Sequence, residues 1–365
     1  MKRGSPSVKW SLVLLILTLV WRMLGAPITQ EQFSNLQVPL WQARVLMPVR
    51  VERILLCWFD FIVPTETVTM DRENSMAAPM NEAVWVNVYQ TEKKALTRMT
   101  LRGYVCGVIA EEMPATYHLE ALKAQAVAAR TRVLAQKIRG GCSEHPGADI
   151  CTDSAHCQGY ASLTECQEKW KESYPVYRDR ILQAEAETAS QWLSYHQQPI
   201  EVFYHAISGG KTEAAQTVFS QAYPYLISVE SAGEEALRGF RRETTYTYEE
   251  IAQRAQKQTG ISLTAEEVRR TLSIASYTES GRVKAIQIGN QIVSGTEARK
   301  MLDLRSTMFS ITTSQEGVTF HQTGYGHGVG MSQAGANAMA SAGADYQKIL
   351  LHYYPGVKIE EKLLE

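Results

Sequence analysis

The chain has 365 residues with 37 basic against 38 acidic side chains. That is length enough for one large or two medium domains, and the even charge balance gives no electrostatic argument for nucleic acid. No basic tract with interleaved aromatics occurs, so no nucleic-acid partner is expected.

At the N-terminus, Lys2, Arg3 and Lys9 precede the apolar run Trp10 to Trp21, followed by Arg22. A basic flank and an apolar run form an export signal with the positive end in the cytoplasm. Leu24 is large where a cleavage site wants a small residue, and Pro27 follows Ala26 at once. The expectation is an uncleaved membrane anchor over residues 1–26, with the body of the protein outside the cytoplasm. Residues 27–83 hold interrupted apolar patches carrying Glu52, Arg53 and Asp60, and read as a linker with a peripheral strand or two.

Val84, Val86 and Val88 alternate with polar or aromatic neighbours, the period of a half-buried strand, and residues 93–105 read as a second strand and an entry turn. An apolar run (Val105, Val108, Ile109) then leads to Glu111, Glu112 and a Met113-Pro114 break. Pro114 cannot donate a backbone hydrogen bond and disfavours helical geometry at Met113, so the carboxylates sit at a boundary. From about Leu119 to Ile138 the apolar positions follow one helical face widened by alanines, predicting a core helix that other backbones approach closely. Lys123, Gln125 and Arg130 are its odd polar members, and their heads could simply snorkel to water or cap other elements.

Gly140-Gly141 closes that helix, and a loop rich in cysteine and histidine follows. Six cysteines are present, at 57, 106, 142, 151, 157 and 166, the last four within 25 residues. His145, Cys151 and Cys157 are six apart each time, with Cys142, His156 and Cys166 nearby. Thiolate and imidazole suit zinc, whereas an exported protein also permits disulfides. Both hold if zinc takes His145, Cys151 and Cys157 while Cys142 and Cys166 form a bridge.

Further on, a helical pattern covers 174–195, and Glu201 to Tyr204 reads as a strand entering the His205 to Gly210 turn. Residues 247–259 and 264–272 look like capped amphipathic helices, and 281–295 like a hairpin turning at Gly289-Asn290. The chain closes with a glycine-rich block, 324–335, and a helical stretch from Ala334 to Ala342. Neither glycine block has nucleotide-loop spacing. His205 and His327 are loop candidates for ligand or catalytic work, though backbone carbonyls could equally satisfy both.

The adjacent Glu111 and Glu112 diverge, so they do not form a facing acid and nucleophile pair. One glutamate buried against Met113 and the alanine helix would have a raised pKa and could protonate a leaving oxygen. The plainer alternative is a solvated acid at a helix entry.

In order along the chain stand VIAEEMPA (108–115), EALKAQAVAART (120–131), FYHAISGGKTE (203–213), GRV (281–283), LRSTMF (304–309) and GYGHGVGMSQAGA (324–336). Together they resemble the stage II sporulation protein D family, from about Val84 to the C-terminus. The resemblance implies a peptidoglycan lytic transglycosylase in which Glu112 is the single general acid and base and the product is a 1,6-anhydro sugar. It implies glycan contacts for Lys123, Arg130, Tyr204, Ser208, Gly209, Gly210, His327, Gly328, Ser332 and Gln333. It also implies a structural zinc on His145, Cys151 and Cys157, with no cofactor needed for the chemistry. Expected partners are amidase-denuded glycan strands and the stage II sporulation proteins P and M, in the space between mother cell and forespore. A related branch enhances amidases. The expected fold is α+β: a core (84–230 and 307–365) of mixed strands and helices, with a smaller inserted or flanking α+β subdomain (231–306), preceded by the N-terminal membrane helix.

Overall fold

Strand β1 (Trp85–Gln90) buries Val86 and Val88 and pairs antiparallel with β2 (Ala95–Thr100). Helix α1 (Leu101–Glu112) follows without a linker, because the Thr100 side chain accepts from the Gly103 N–H at 3.1 Å and caps its N-terminus. The apolar run Val105, Val108 and Ile109 is therefore helical, and the strand read over 93–105 ends at Thr100. It is apolar on most sides because the helix is buried on most sides. Met113 leaves the helix in extended geometry, as a residue before proline must, so Glu112 is the last helical residue.

The computed structural model describes residues 84–260 and 262–361. The expected anchor and the 27–83 segment lie outside them. Among the described residues no helix is long and apolar enough to cross a membrane.

Helix α2 (Leu119–Ile138) is the axis of the first hydrophobic core. Its alanines let neighbours close in from several sides: α1, and further along the chain α4 (Tyr174–Glu187), β4 (Trp192–Tyr195), α9 (Gln333–Ser341) and α10 (Tyr346–Tyr353). Between these lie β3 (Ile150–Cys151), which pairs parallel with β1, and α3 (Leu163–Trp170). The short strand β6 (Tyr204–His205) pairs parallel with β13 (Met331–Ser332), and β14 (Lys358–Glu360) joins β4 and β5 (Gln198–Pro199).

A second core runs from Tyr248 to Phe320. It is built on two antiparallel sheets, β11 (Phe309–Thr313), β12 (Gly317–Thr323) and β7 (Arg241–Thr247) in one, and β10 (Gln291–Ser294), β9 (Val283–Ile288) and β8 (Ser273–Tyr277) in the other. Helices α6 (Tyr248–Thr259), α7 (Ala265–Thr271) and α8 (Gly295–Met301) each start with a capping box. Phe309, Val318 and Phe320 belong to this core, so it continues past residue 306, where the sequence changes texture. The short helix α5 (Ala215–Phe219) adds Ala215 to the first core. The architecture is thus mixed α+β, with several small sheets.

The two cores meet through buried polar contacts. Arg282 donates to the Ser208 carbonyl, and Ser280 Oγ donates to Glu213 Oε2 at 2.7 Å. Tyr325 and Ile207 exchange backbone hydrogen bonds, which brings the two glycine turns side by side.

Candidate active site

Glu112 stands at the C-terminal end of α1, where the negative end of the helix dipole disfavours an ionised carboxylate. The Gly159 N–H donates to Oε1 at 2.7 Å. A Cβ on Gly159 would sit 2.9 Å from that oxygen and would push the carboxyl from its place. Burial pushes the Glu112 pKa above its ordinary value and the neighbouring Glu111 adds to this. The Gly159 N–H, Gln333 and Arg132 pull it back in part. Gln333 acts from the start of α9, yet its buried Nε2 has no hydrogen bond of ordinary geometry. Glu111, by contrast, points outward and pairs with Lys169 at 3.1 Å. Adjacent carboxylates therefore sit in unlike environments, one desolvated and one solvated.

Glu112 lines a cleft of about 1360 Å³. Its walls come from α1, Arg132 on α2, the 156–161 segment, residues 202–206, α8 and the 325–327 turn, with Gln333 at the base of α9. Aromatic faces dominate one side: Phe203 stacks on Phe219 with centroids 4.4 Å apart, and His327 meets both edge-on. Such faces suit the apolar faces of sugar rings. Tyr204, half-buried, donates its hydroxyl to Gln158 Oε1 at 2.8 Å.

The two histidines of the glycine blocks come together, ring centroids 5.7 Å apart. Burial holds both below the usual imidazole range, His327 at about 3, so both are neutral. His205 Nδ1 lies 3.0 Å from the Val329 carbonyl and must carry the proton, which leaves Nε2 an acceptor without a partner. His327 Nδ1 accepts from the Val329 N–H at 3.0 Å, so its proton is on Nε2. Backbone groups satisfy one nitrogen of each ring, and at His205 the other is left over.

Of the residues assigned to glycan contact, Tyr204, His327 and Gln333 line this cleft with Glu112, and seven do not. Lys123 pairs with Glu120 and Glu187, both at 2.6 Å. Arg130 is 1% exposed, pairs with Glu185 at 2.8 Å and donates to the Thr188 and Gln191 carbonyls. Arg132 takes the place assigned to it: two residues along a helix is about 200° of rotation, so these arginines face opposite ways. Arg130→Ala is accordingly expected to cost about 3–5 kcal/mol in a urea unfolding curve, since it removes the cation that neutralises the buried Glu185 carboxylate.

Ser208, Gly209, Gly210, Gly328 and Ser332 form the frame behind the cleft. Buried Glu234 accepts from the Ser208 N–H and hydroxyl at 2.8 and 2.9 Å, from the Gly209 N–H at 3.2 Å, and from the Ser231 and Ser332 hydroxyls at 2.6 and 2.7 Å. Ser332 also caps α9, so this carboxylate ties the Ser208 turn to the helix that presents Gln333. Gly210 holds its N–H on Ser208 Oγ at 3.0 Å. Gly328 has a φ of +84°, and a Cβ there would strike the Arg282 guanidinium. Glu234 carries no sequence motif, and Arg132 is one of several polar residues on the alanine helix, which is why neither stands out without coordinates.

Beside the cleft, Cys142, Cys151, His156 and Cys157 converge. Their sulfurs lie 3.3–3.5 Å from His156 Nδ1, and Cys157 Sγ is 3.9 Å from Cys142 Sγ. Tetrahedral zinc with ordinary bond lengths separates its sulfur ligands by about 3.8 Å, so the four donors fit that ion. Ser143 Oγ holds His156 Nε2 at 3.1 Å, the kind of support that fixes a ligand's tautomer. The Cys151 thiol is drawn down to about 5, chiefly by the hydrogen bond from Cys157.

This corrects two expectations. His145 is not in the cluster, because its ring stacks on Tyr89 with centroids 3.8 Å apart, and His156 replaces it. Cys142 and Cys166 form no disulfide: Cys142 is one of the converging donors, and Cys166 is a buried free thiol on α3. The cluster also reaches the cleft, since the His156 carbonyl accepts from Arg132 at 3.1 Å and Gly159 lies three residues on.

A sequence profile described as "Stage II sporulation protein" matches residues 89–195, which include Glu112, Arg132 and the four-donor cluster. Stage II sporulation protein D of Bacillus subtilis is 33% identical over 299 residues, covering 82% of this chain and 84% of that protein. The chain belongs to the stage II sporulation protein D family. The protein of that name from Bacillus amyloliquefaciens is likewise 33% identical, over 80% of this chain and 83% of its own length. A more distant relative is an "Amidase enhancer" of Bacillus subtilis, 26% identical over 69% of this chain and 40% of that protein. A second profile, described only as a domain of unknown function, matches residues 165–330. In this member of the stage II sporulation protein D family, the second match carries the far wall of the cleft, from Tyr204 through α8 to His327.

Proposed function

We propose that this family member is a peptidoglycan lytic transglycosylase acting in the cell-wall remodelling of sporulation. The observation that carries the reading is one half-buried, desolvated carboxyl of raised pKa, Glu112, held by a backbone N–H in a sugar-sized, aromatic-lined cleft. As an acid, Glu112 gives its proton to the glycosidic oxygen between N-acetylmuramic acid and N-acetylglucosamine, and the bond from that oxygen to the muramyl anomeric carbon breaks. As a carboxylate it then takes the proton from the muramyl 6-hydroxyl, whose oxygen bonds to the same anomeric carbon. Glu112 ends as it began, and no water enters the product.

The Gly159 N–H and Arg132 serve the ionised form midway, and the desolvated cleft serves the protonated form at the start. Zinc on Cys142, Cys151, His156 and Cys157 would hold the 142–157 loop in shape. Four protein ligands leave no open position, which supports a structural role and weighs against a metal-bound water as the reagent.

The test is to digest amidase-treated glycan strands in ¹⁸O-water and inspect the ends by mass spectrometry. Anhydro-muramyl ends without ¹⁸O are expected, whereas reducing ends labelled with ¹⁸O would mean hydrolysis. No cleavage, with retained glycan binding and stimulation of an amidase, would favour the second reading, which the amidase-enhancer relative motivates.

Gln333 lowers the Glu112 pKa, so Gln333→Leu is expected to raise it. The alkaline limb of the pH–rate profile should then move to higher pH, because the acid stays protonated longer. An unmoved limb would separate Gln333 from the proton transfer.

A further inference from the structure

We propose that Arg299 is a carboxylate-binding residue of the cleft and reads the free lactyl carboxylate of a muramyl sugar. The proposal takes the identity of the sugar from the transglycosylase reading. The charge layout is what motivates it. One stretch of the cleft wall bears Glu92, Glu111, Glu165 and Glu168, and Lys169 there is already paired with Glu111. Arg132 is also spent: NH1 donates to Glu201 Oε1 and the Val202 carbonyl, and NH2 to the His156 carbonyl. His205 and His327 are neutral.

Arg299 is different. It lines the cleft from α8, and its Nε donates to the Leu304 carbonyl at 3.2 Å, which fixes the plane of the guanidinium. Among the described residues the Nε bond is its one side-chain hydrogen bond, and no carboxylate or carbonyl takes its two terminal nitrogens. Thr296, one turn earlier on the same helix, and Thr307 line the cleft with it and offer hydroxyls. A fixed, half-buried fork whose two terminal nitrogens present one free N–H edge, with flanking hydroxyls, matches a carboxylate.

A glycan of alternating N-acetylglucosamine and N-acetylmuramic acid offers one such group per disaccharide, the lactyl acid on O3. That acid is anionic when free and a neutral amide when a peptide is attached. The acidic wall repels it and Arg299 attracts it, so the pair sets which way a charged strand lies in the cleft. Arg299 shares the cleft with His205 and His327, whose titration it depresses, so the carboxylate subsite lies on the histidine side of the cleft.

The experiment uses the full chain carrying Glu112→Gln, so that ligands survive, and calorimetric titration with three probes. These are a muramyl oligosaccharide with free lactyl acids, the same compound with the acids amidated, and a chito-oligosaccharide without lactyl groups. Adding Arg299→Gln is expected to weaken the free-acid probe by roughly 10- to 100-fold and to leave the other two within about twofold. Arg299→Lys should recover part of that loss. Without any change at 299, salt should weaken the free-acid probe and not the amide. Equal weakening of all three probes, or a free-acid affinity indifferent to both salt and Arg299, overturns the proposal. Free-acid binding that needs Arg299 in a protein making no anhydro ends would keep this subsite and reject the transglycosylase reading alone.

Discussion

Glu112→Gln is expected to slow formation of anhydro-muramyl ends by roughly 10²–10⁴-fold, the usual worth of a positioned general acid or base, while glycan affinity stays within a few-fold. The amide keeps an oxygen for the Gly159 N–H and loses only the proton, so the cleft has no reason to change shape. The same substitution has a signature in stability. Because burial raises the folded pKa of Glu112, the folded chain binds that proton more tightly than the unfolded chain does. Its contribution is therefore full below the unfolded carboxylate range and is lost as pH rises through the folded pKa. At neutral pH the ionised group costs stability, and the glutamine variant should melt at a higher temperature than the parent. Near pH 4 the two should converge. A variant that still produces anhydro ends would sink the assignment, and identical melting at both pH values would show that the carboxyl is not buried in solution.

Removing the metal is the second large effect expected. Four donors spaced for zinc sit in a loop with few regular hydrogen bonds, so an ion held there would supply much of its order. Cys151→Ser, or a strong chelator, is expected to lower the melting temperature by on the order of 10 °C or more and to leave less than one equivalent of zinc by elemental analysis. Cleavage should fail together with the fold, because Arg132 leans on the His156 carbonyl and Gly159 follows three residues later. Cys166→Ser should retain the metal, since that thiol lies outside the cluster. Cleavage that stops on chelation with an unchanged melting curve would instead assign the metal to the chemistry.

These two sites were unequally legible in the chain. The Met113-Pro114 break marks a boundary by backbone sterics alone, and the structure indeed ends α1 at Glu112. The capping boxes at Thr247 and Thr264 and the Gly289-Asn290 hairpin are local chemistry, and each stands where it was read. Side-chain direction is another matter. Arg130 and Arg132 differ in sequence only by position, and which one meets the cleft depends on how α2 is rotated against α4 and β4, a tertiary fact. The ligand histidine shows the same limit: even spacing favoured His145, but stacking on Tyr89 claims that ring and leaves His156 to swing inward. Glu234 and Arg299 lie in ordinary charged stretches, and only the partners that folding brings to them give them meaning.

The pairing of β6 with β13 has a bearing on biosynthesis. His205 and Val329, which meet across it, are 124 positions apart, and Tyr354 donates to the Phe203 carbonyl from later still. A ribosome-bound chain that had reached Phe320 would already possess α1, α2 and the four metal donors, but no floor for the sugar. The cleft is thus complete only when the final stretch has been made and has threaded back beside β6, so on the proposed reading a chain cut short before it would lack the far wall that glycan binding needs.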